Sequence, residues 1–194
     1  MLNDQRSATG SCGSYVEWSA ILAGAVLALA ISTVLMQFGA AIGLALHSPY
    51  RTEELTSGGA LAIGGWMLWV QVSSSFAGGY LAGRLRAPVA YSSEHERETR
   101  DGMHGALAWA TATIAVVIAA AVAAAFAALT AHDPEVAKVT PDVERIRHNT
   151  AIIFAFVTAS ISLVSGVGAW WAATKGGEHR DDPLAHKHYV TFRR

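Results

Sequence analysis

The chain has 194 residues and a net charge of −1; 52% of it is hydrophobic and only 15% charged. Soluble domains carry roughly a quarter charged residues, so the composition speaks against a soluble globular protein. The balanced charge gives no general attraction to nucleic acid, and the single cysteine, Cys12, excludes an internal disulfide.

The charges are also unevenly spread. None lies between Glu17 and Arg51, Glu54 and Arg84, Asp101 and Asp133, or Arg147 and Lys175. Each gap exceeds the ~20 apolar residues that cross a ~30 Å hydrocarbon core. The expected fold class is therefore all-α, a polytopic membrane protein with four transmembrane helices. A soluble bundle would show a polar stripe on each helix, and these stretches show none.

In chain order, residues 1–14 are polar and rich in glycine and serine, expected to form a flexible cytoplasmic tail rather than a cleavable signal. The transmembrane domain is expected over residues 15–174. Its first helix covers about 15–46, with Tyr15 and Trp18 suited to an interfacial aromatic belt. Gly39 and Gly43 form a GxxxG pair near its far end. After a polar loop (47–57) comes a second helix over about 58–85, with the segment WMLWVQVSSSFAGGYLAGRLR at its heart. Its small residues Ser75, Gly78, Gly79 and Gly83 form a face that lets another helix approach closely. Arg84 and Arg86 mark where it leaves the bilayer.

A charged loop follows (87–100), then a third, alanine-rich helix over about 101–131, with Asp101 expected as its N-cap. A loop over 132–147 carries Asp133-Pro134 and Thr140-Pro141, both readable as an N-cap followed by a proline in the first turn. The second of these is a place where a helix continuing into the fourth span (about 147–174) can start. Residues 175–194 are expected as a cytoplasmic tail.

Basic residues set the expected orientation. Arg6, Arg84, Arg86, Arg97, Arg100, Lys175, Arg180, Lys187, Arg193 and Arg194 fall at one set of helix ends, and Arg51, Lys138, Arg145 and Arg147 at the other. The positive-inside rule places both termini and the 87–100 loop in the cytoplasm of a bacterial inner membrane.

A faint internal repeat pairs Gly78-Gly79-Tyr80-Leu81-Ala82-Gly83 with Gly168-Ala169-Trp170-Trp171-Ala172-Ala173, and Trp18 with Trp109. A true repeat makes the chain two tandem helical hairpins related by an axis along the membrane normal. Chance recurrence in an alanine- and glycine-rich chain is the other explanation.

Intramembrane charge is the usual pointer to function, and here it is missing. The mid-span polar residues are neutral: Ser32, Thr33, Gln37, Gln71, Ser73 to Ser75, Thr111, Thr113, Thr158, Ser160, Ser162 and Ser165. Helix packing is the default role for such residues, Ser162 and Gly166 on the fourth helix included; a polar path through Gln37 and Gln71 is the alternative. His47, His132 and His148 fall at outer helix ends, where three imidazoles can hold a metal or two can hold haem. Nothing in their spacing favours this over interfacial histidines, so no metal or cofactor is expected. The tail set His179, His186 and His188 with Asp181 and Asp182 is equally unspecific. His104 sits near the cytoplasmic start of the third helix, where local packing competes with contact to a lipid or quinone headgroup. No nucleophile elbow, phosphate-binding loop, dinucleotide motif or zinc-protease motif is present, so catalysis is not expected.

The segments YVEWSAILAGAVLAL, FAGGYLAGRLR and RDGMHGALAWA resemble a family of small, four-span, alphaproteobacterial-type membrane proteins of unknown function, sometimes labelled PhnA-like or permease. The resemblance covers about Tyr15 to Thr174. It implies no activity, substrate or cofactor, only that Trp18, Gly78, Gly79, Gly83, Arg84, Asp101, His104, Gly105 and Trp109 are structural positions. The function expected is that of a non-catalytic accessory or scaffold subunit of a larger membrane complex, a respiratory one among the candidates, acting through its small-residue helix-packing faces. The alternative is a small-solute channel or transporter working as a homo-oligomer. The bilayer is a partner in either case. Lipid-headgroup contact is expected near Arg84, Arg86, His104, Trp18 and Trp109.

Overall fold

The computed structural model describes residues 15–46, 57–88, 93–130 and 141–182. Every regular element among them is helical: α1 (Trp18–Leu46), α2 (Ser57–Leu85), α3 (Glu94–Thr130) and α4 (Pro141–Asp181). Three are long and apolar enough to cross a membrane, over Trp18–Gly43, Glu94–Thr130 and His148–Asp181, which fits a membrane protein in contact with lipid. α2 is not one of these three, so the fourth span is not shown. Gln71, Ser73 to Ser75 and the glycines of α2 dilute its apolar character.

α3 and α4 reach further toward the basic end than their charge-free stretches. α3 begins at Glu94, not at Asp101. Ser93 caps it, its Oγ accepting the Glu96 N–H at 3.2 Å, the first half of a capping box whose third helical residue is an acid. Asp101 therefore lies two turns inside the helix and is buried. α4 begins at Pro141, where the missing N–H of proline costs nothing, and continues through the glycine pair Gly176-Gly177 to Asp181. Seven residues of the expected tail are thus helical. At 41 residues, α4 spans ~60 Å, about twice a hydrocarbon core.

The helices run up-down-up-down. α2 packs against α1, α3 and α4; α3 also packs against α1 and α4. The backbones come closest where side chains are smallest. A Cβ on Gly79 would collide with Ala169, and one on Gly83 with Ala173. α2 and α4 therefore lie parallel, with glycine against alanine at successive turns. On its other side the same strip of α4 meets Gly105 of α3, where a Cβ would strike the Ala169 carbonyl. Gly24 of α1 meets the Gly78 carbonyl of α2 and sits 3.2 Å, as a notional Cβ, from Ala108 of α3. Such contacts let dispersion forces and backbone dipoles act at short range, which holds helices together in lipid.

The two segments of the faint repeat thus face one another. Gly79 corresponds to Ala169 and Gly83 to Ala173, and these positions touch. A two-fold axis between α2 and α4 brings equivalent positions together in this way. The match is partial, since α2 packs on α3 while α1 and α4 form no comparable interface.

Candidate functional site

The buried ionisable groups of the described residues, Arg86, Asp101 and His104, gather at the basic end, where α1 and α3 begin and α2 and α4 end. At their centre is Asp101. Its Oδ1 accepts a short charge-assisted bond from Arg86 Nε, with both side chains almost wholly buried. From the other side Arg180 grips it bidentately, Nη1 to Oδ1 and Nη2 to Oδ2, each at 3.2 Å. Gly177 is what lets Asp101 fit, because a Cβ there would overlap the carboxylate.

Arg180 also finishes α2. Its Nη1 donates to the Gly83 carbonyl at 2.8 Å and to the Arg86 carbonyl at 3.0 Å, acceptors that a helix C-terminus leaves without an internal partner. A cation there is further favoured by the helix dipole. Asp181 steadies the guanidinium through its Nε and Nη2 at 2.8 and 2.9 Å. One carboxylate and two arginines thereby join the ends of α2, α3 and α4.

His104 adds α1. Its Nε2 accepts the Glu17 N–H at 2.9 Å and its Nδ1 lies 2.7 Å from the Arg100 carbonyl. An acceptor at Nε2 and a carbonyl at Nδ1 fix the neutral tautomer with the proton on Nδ1. Glu17 returns the link to α2 by accepting the Ala87 N–H at 2.7 Å. Outside this, the Tyr15 hydroxyl donates to Glu96 at 3.0 Å, which raises the phenol's pKa above its usual value. Arg100 stacks 4.2 Å over the Tyr15 ring and donates to the Tyr15 carbonyl at 3.0 Å.

The other candidates disperse. Trp18 is exposed at the start of α1, and Arg84 is half-buried beside Gly176. Trp109 lies over Gly166, its notional Cβ 3.1 Å from the indole. Ser75 is buried with Ser74 inside the α2 seam, and the Ser162 carbonyl accepts the Ser165 hydroxyl at 2.8 Å. Gly39 of the α1 pair packs on the Trp66 indole, whereas a Cβ on Gly43 would meet nothing within 4 Å. Arg86, expected at the lipid surface, is instead one of the largest fully buried side chains. Of the outer histidines, His47 and His132 lie outside the described residues, as do His186 and His188. His148 is exposed near the start of α4. His179 pairs with the Tyr80 hydroxyl at 3.1 Å.

The mid-span hydroxyls mostly satisfy their own helices. Ser32, Thr33, Thr111, Thr113, Thr158 and Ser160 each donate to the carbonyl four residues back. Gln71 crosses between helices, its Nε2 donating to Ser165 Oγ at 3.3 Å.

Sequence reasoning missed the roles of Asp101 and Arg180. The available signals were small: Asp101 is followed directly by a glycine, and Arg180 lies one helical turn past Gly176-Gly177. Of these glycines, Gly177 makes room for the Asp101 carboxylate, while Gly102 makes room for the Trp170 indole. Comparison of the chain with protein-family models, curated proteins and solved structures finds no match.

Proposed function

We propose that the protein is a non-catalytic integral membrane protein, an accessory or scaffold subunit of a larger membrane complex. The observation that supports this is how its surface is divided. The small-residue strip Gly78, Gly79 and Gly83 packs on other helices of the chain, and Arg86, Asp101 and Arg180 pair with one another. What it offers outward is apolar helix: Val116, Val122, Phe126 and Leu129 on α3, and Ile153, Phe154, Phe156 and Leu163 on α4, are all exposed. Lipid covers such a surface, and so does an apolar helix of a partner. Solute transport has less support, because Gln71 and Ser165 bond each other and the mid-span hydroxyls bond their own helices.

The basic end is proposed to face the cytoplasm of a bacterial inner membrane, since Arg84, Arg86, Arg97, Arg100, Lys175 and Arg180 all fall there. Isolation of the tagged chain in mild detergent, followed by mass spectrometry, tests the function. The expected result is co-purification of a larger complex in fixed stoichiometry; a discrete homo-oligomer without other subunits would refute it and favour a channel. Cysteines placed at 94, 95 and 98 test the orientation. Labelling by an impermeant reagent from outside intact cells would reverse it.

A further inference from the structure

The ion pairs at the basic end leave hydrogen-bond donors over. Arg86 has a side-chain exposure of 2%. Its Nε is committed to Asp101, yet Nη1 and Nη2 are both buried without a hydrogen-bond partner. Arg100 repeats the pattern: Nη2 donates to the Tyr15 carbonyl, while Nε is buried and unpartnered. The two guanidinium groups lie in one region: Arg86 bonds Asp101, the residue after Arg100, and the Ala87 N–H next to Arg86 bonds Glu17, two residues from the Tyr15 ring that Arg100 covers.

The acceptors nearby face other donors, and none lies within hydrogen-bond distance of these three nitrogens. Both oxygens of Asp101 are held by Arg180, and one of them by Arg86 as well. Glu17 Oε2 takes the Ala87 N–H, and Glu96 Oε1 takes the Tyr15 hydroxyl. The His104 Nε2 lone pair is filled by the Glu17 N–H. Buried cationic donors of this kind are normally paired, and the parallel Nη1 and Nη2 of a guanidinium match two oxygens of a tetrahedral oxyanion.

We propose that the protein binds one phosphate group at its basic end, between Arg86 and Arg100, either as the headgroup phosphate of an anionic phospholipid or as free phosphate. Arg86 supplies the two-pronged contact and Arg100 Nε a third donor. Arg86 lies deep and Arg100 nearer the surface beside the exposed Tyr15, so the phosphate arrives from the Tyr15 side. The pairing with Asp101 then has a second use, because it holds the Arg86 fork in a fixed direction.

The full-length chain tests this in two arms. In the first, protein purified from nanodiscs of phosphatidylglycerol or of phosphatidylcholine is examined by native mass spectrometry for retained lipid. In the second, lipid-stripped protein in neutral detergent is titrated with inorganic phosphate, with chloride at equal ionic strength as control. One phosphatidylglycerol per chain, retained at least tenfold less by Arg100→Gln but not by the charge-matched Arg97→Gln, identifies the source as lipid. Saturable phosphate binding with the same pattern identifies free phosphate. Arg86→Lys, which keeps the charge but loses the fork, is expected to weaken either ligand as strongly as Arg100→Gln. Equal retention in Arg97→Gln, Arg100→Gln and Arg86→Lys, or no binding in either arm, overturns the proposal. Should Arg86→Lys fail to fold, the contrast between Arg100→Gln and Arg97→Gln decides alone.

Discussion

The two ends of this molecule are built differently from the same four helices. Near the basic end, helices meet through glycine and alanine, and Asp101, Arg86, Arg180, His104 and Glu17 join all four. Toward the other end packing fades: none of residues 111–130 on α3 or 148–164 on α4 is buried. The candidate membrane-spanning windows of α3 and α4 are each only 6% buried, against 28% for α1. Directional bonds among charged groups therefore fix the helices at one end. At the other, apolar side chains are left to the surrounding lipid, which solvates them as well as another helix would. Stability and structural uniqueness are concentrated in one half of the molecule, and outward-facing contact area in the other.

Removing Asp101 should break this division most severely. Asp101→Ala leaves Arg86 and Arg180 as buried cations without their shared carboxylate, and breaking such a pair costs about 3–5 kcal/mol. Thermal unfolding in detergent should show a large fall in midpoint or no folded protein. A midpoint within a degree of wild type would mean the basic end does not hold the fold.

The helix seam comes next. Gly83→Leu drives a side chain into the Ala173 backbone of α4, and overpacking of this kind typically costs 1–3 kcal/mol. Gly43→Leu, with nothing within 4 Å of its Cβ, should change stability by less than about 0.5 kcal/mol. Equal effects from the two would remove the contrast between the ends.

His104→Ala should have an intermediate effect. It strips the acceptor from the Glu17 N–H, and an unsatisfied buried donor costs roughly 1–3 kcal/mol. Faster hydrogen exchange at the first turn of α1, with α4 unchanged, would show that the histidine ties α1 to the rest. Uniform acceleration over all four helices would show instead that it supports the whole basic end.

The smallest effect is expected in the far half. Phe156→Ala and Leu129→Ala alter side chains that are 74% and 84% exposed, so in detergent each should shift stability by less than about 0.5 kcal/mol. A loss of several times that in the isolated chain would show that this half packs against something, a second copy included.

Much of the architecture was written in the charge pattern. Helices were legible because a chain in lipid must satisfy its backbone internally, and long charge-free stretches leave few other solutions. The small-residue face Gly78, Gly79, Gly83 was legible for the same reason, and the segment Gly168 to Ala173 was its weak sequence echo. The helix ends were less so. Charged residues at 94–100 and 175–181 read as loop and tail because polarity alone does not separate a solvated helix from a coil.

The sequence by itself determined that four long helical stretches exist, that one set of their ends is basic, and that glycine-rich faces are available for close packing. Those properties are local, being set by runs of residue type along the chain. Only the tertiary structure decided that Gly79 and Gly83 meet Ala169 and Ala173 and not another helix. It also turned Asp101 from an expected cap into a buried anchor and Arg86 from a surface cation into an interior one. Such pairings join residues up to 99 positions apart. They depend on which backbones approach closely enough to exclude water, and that is a property of the assembled helices, not of any one of them.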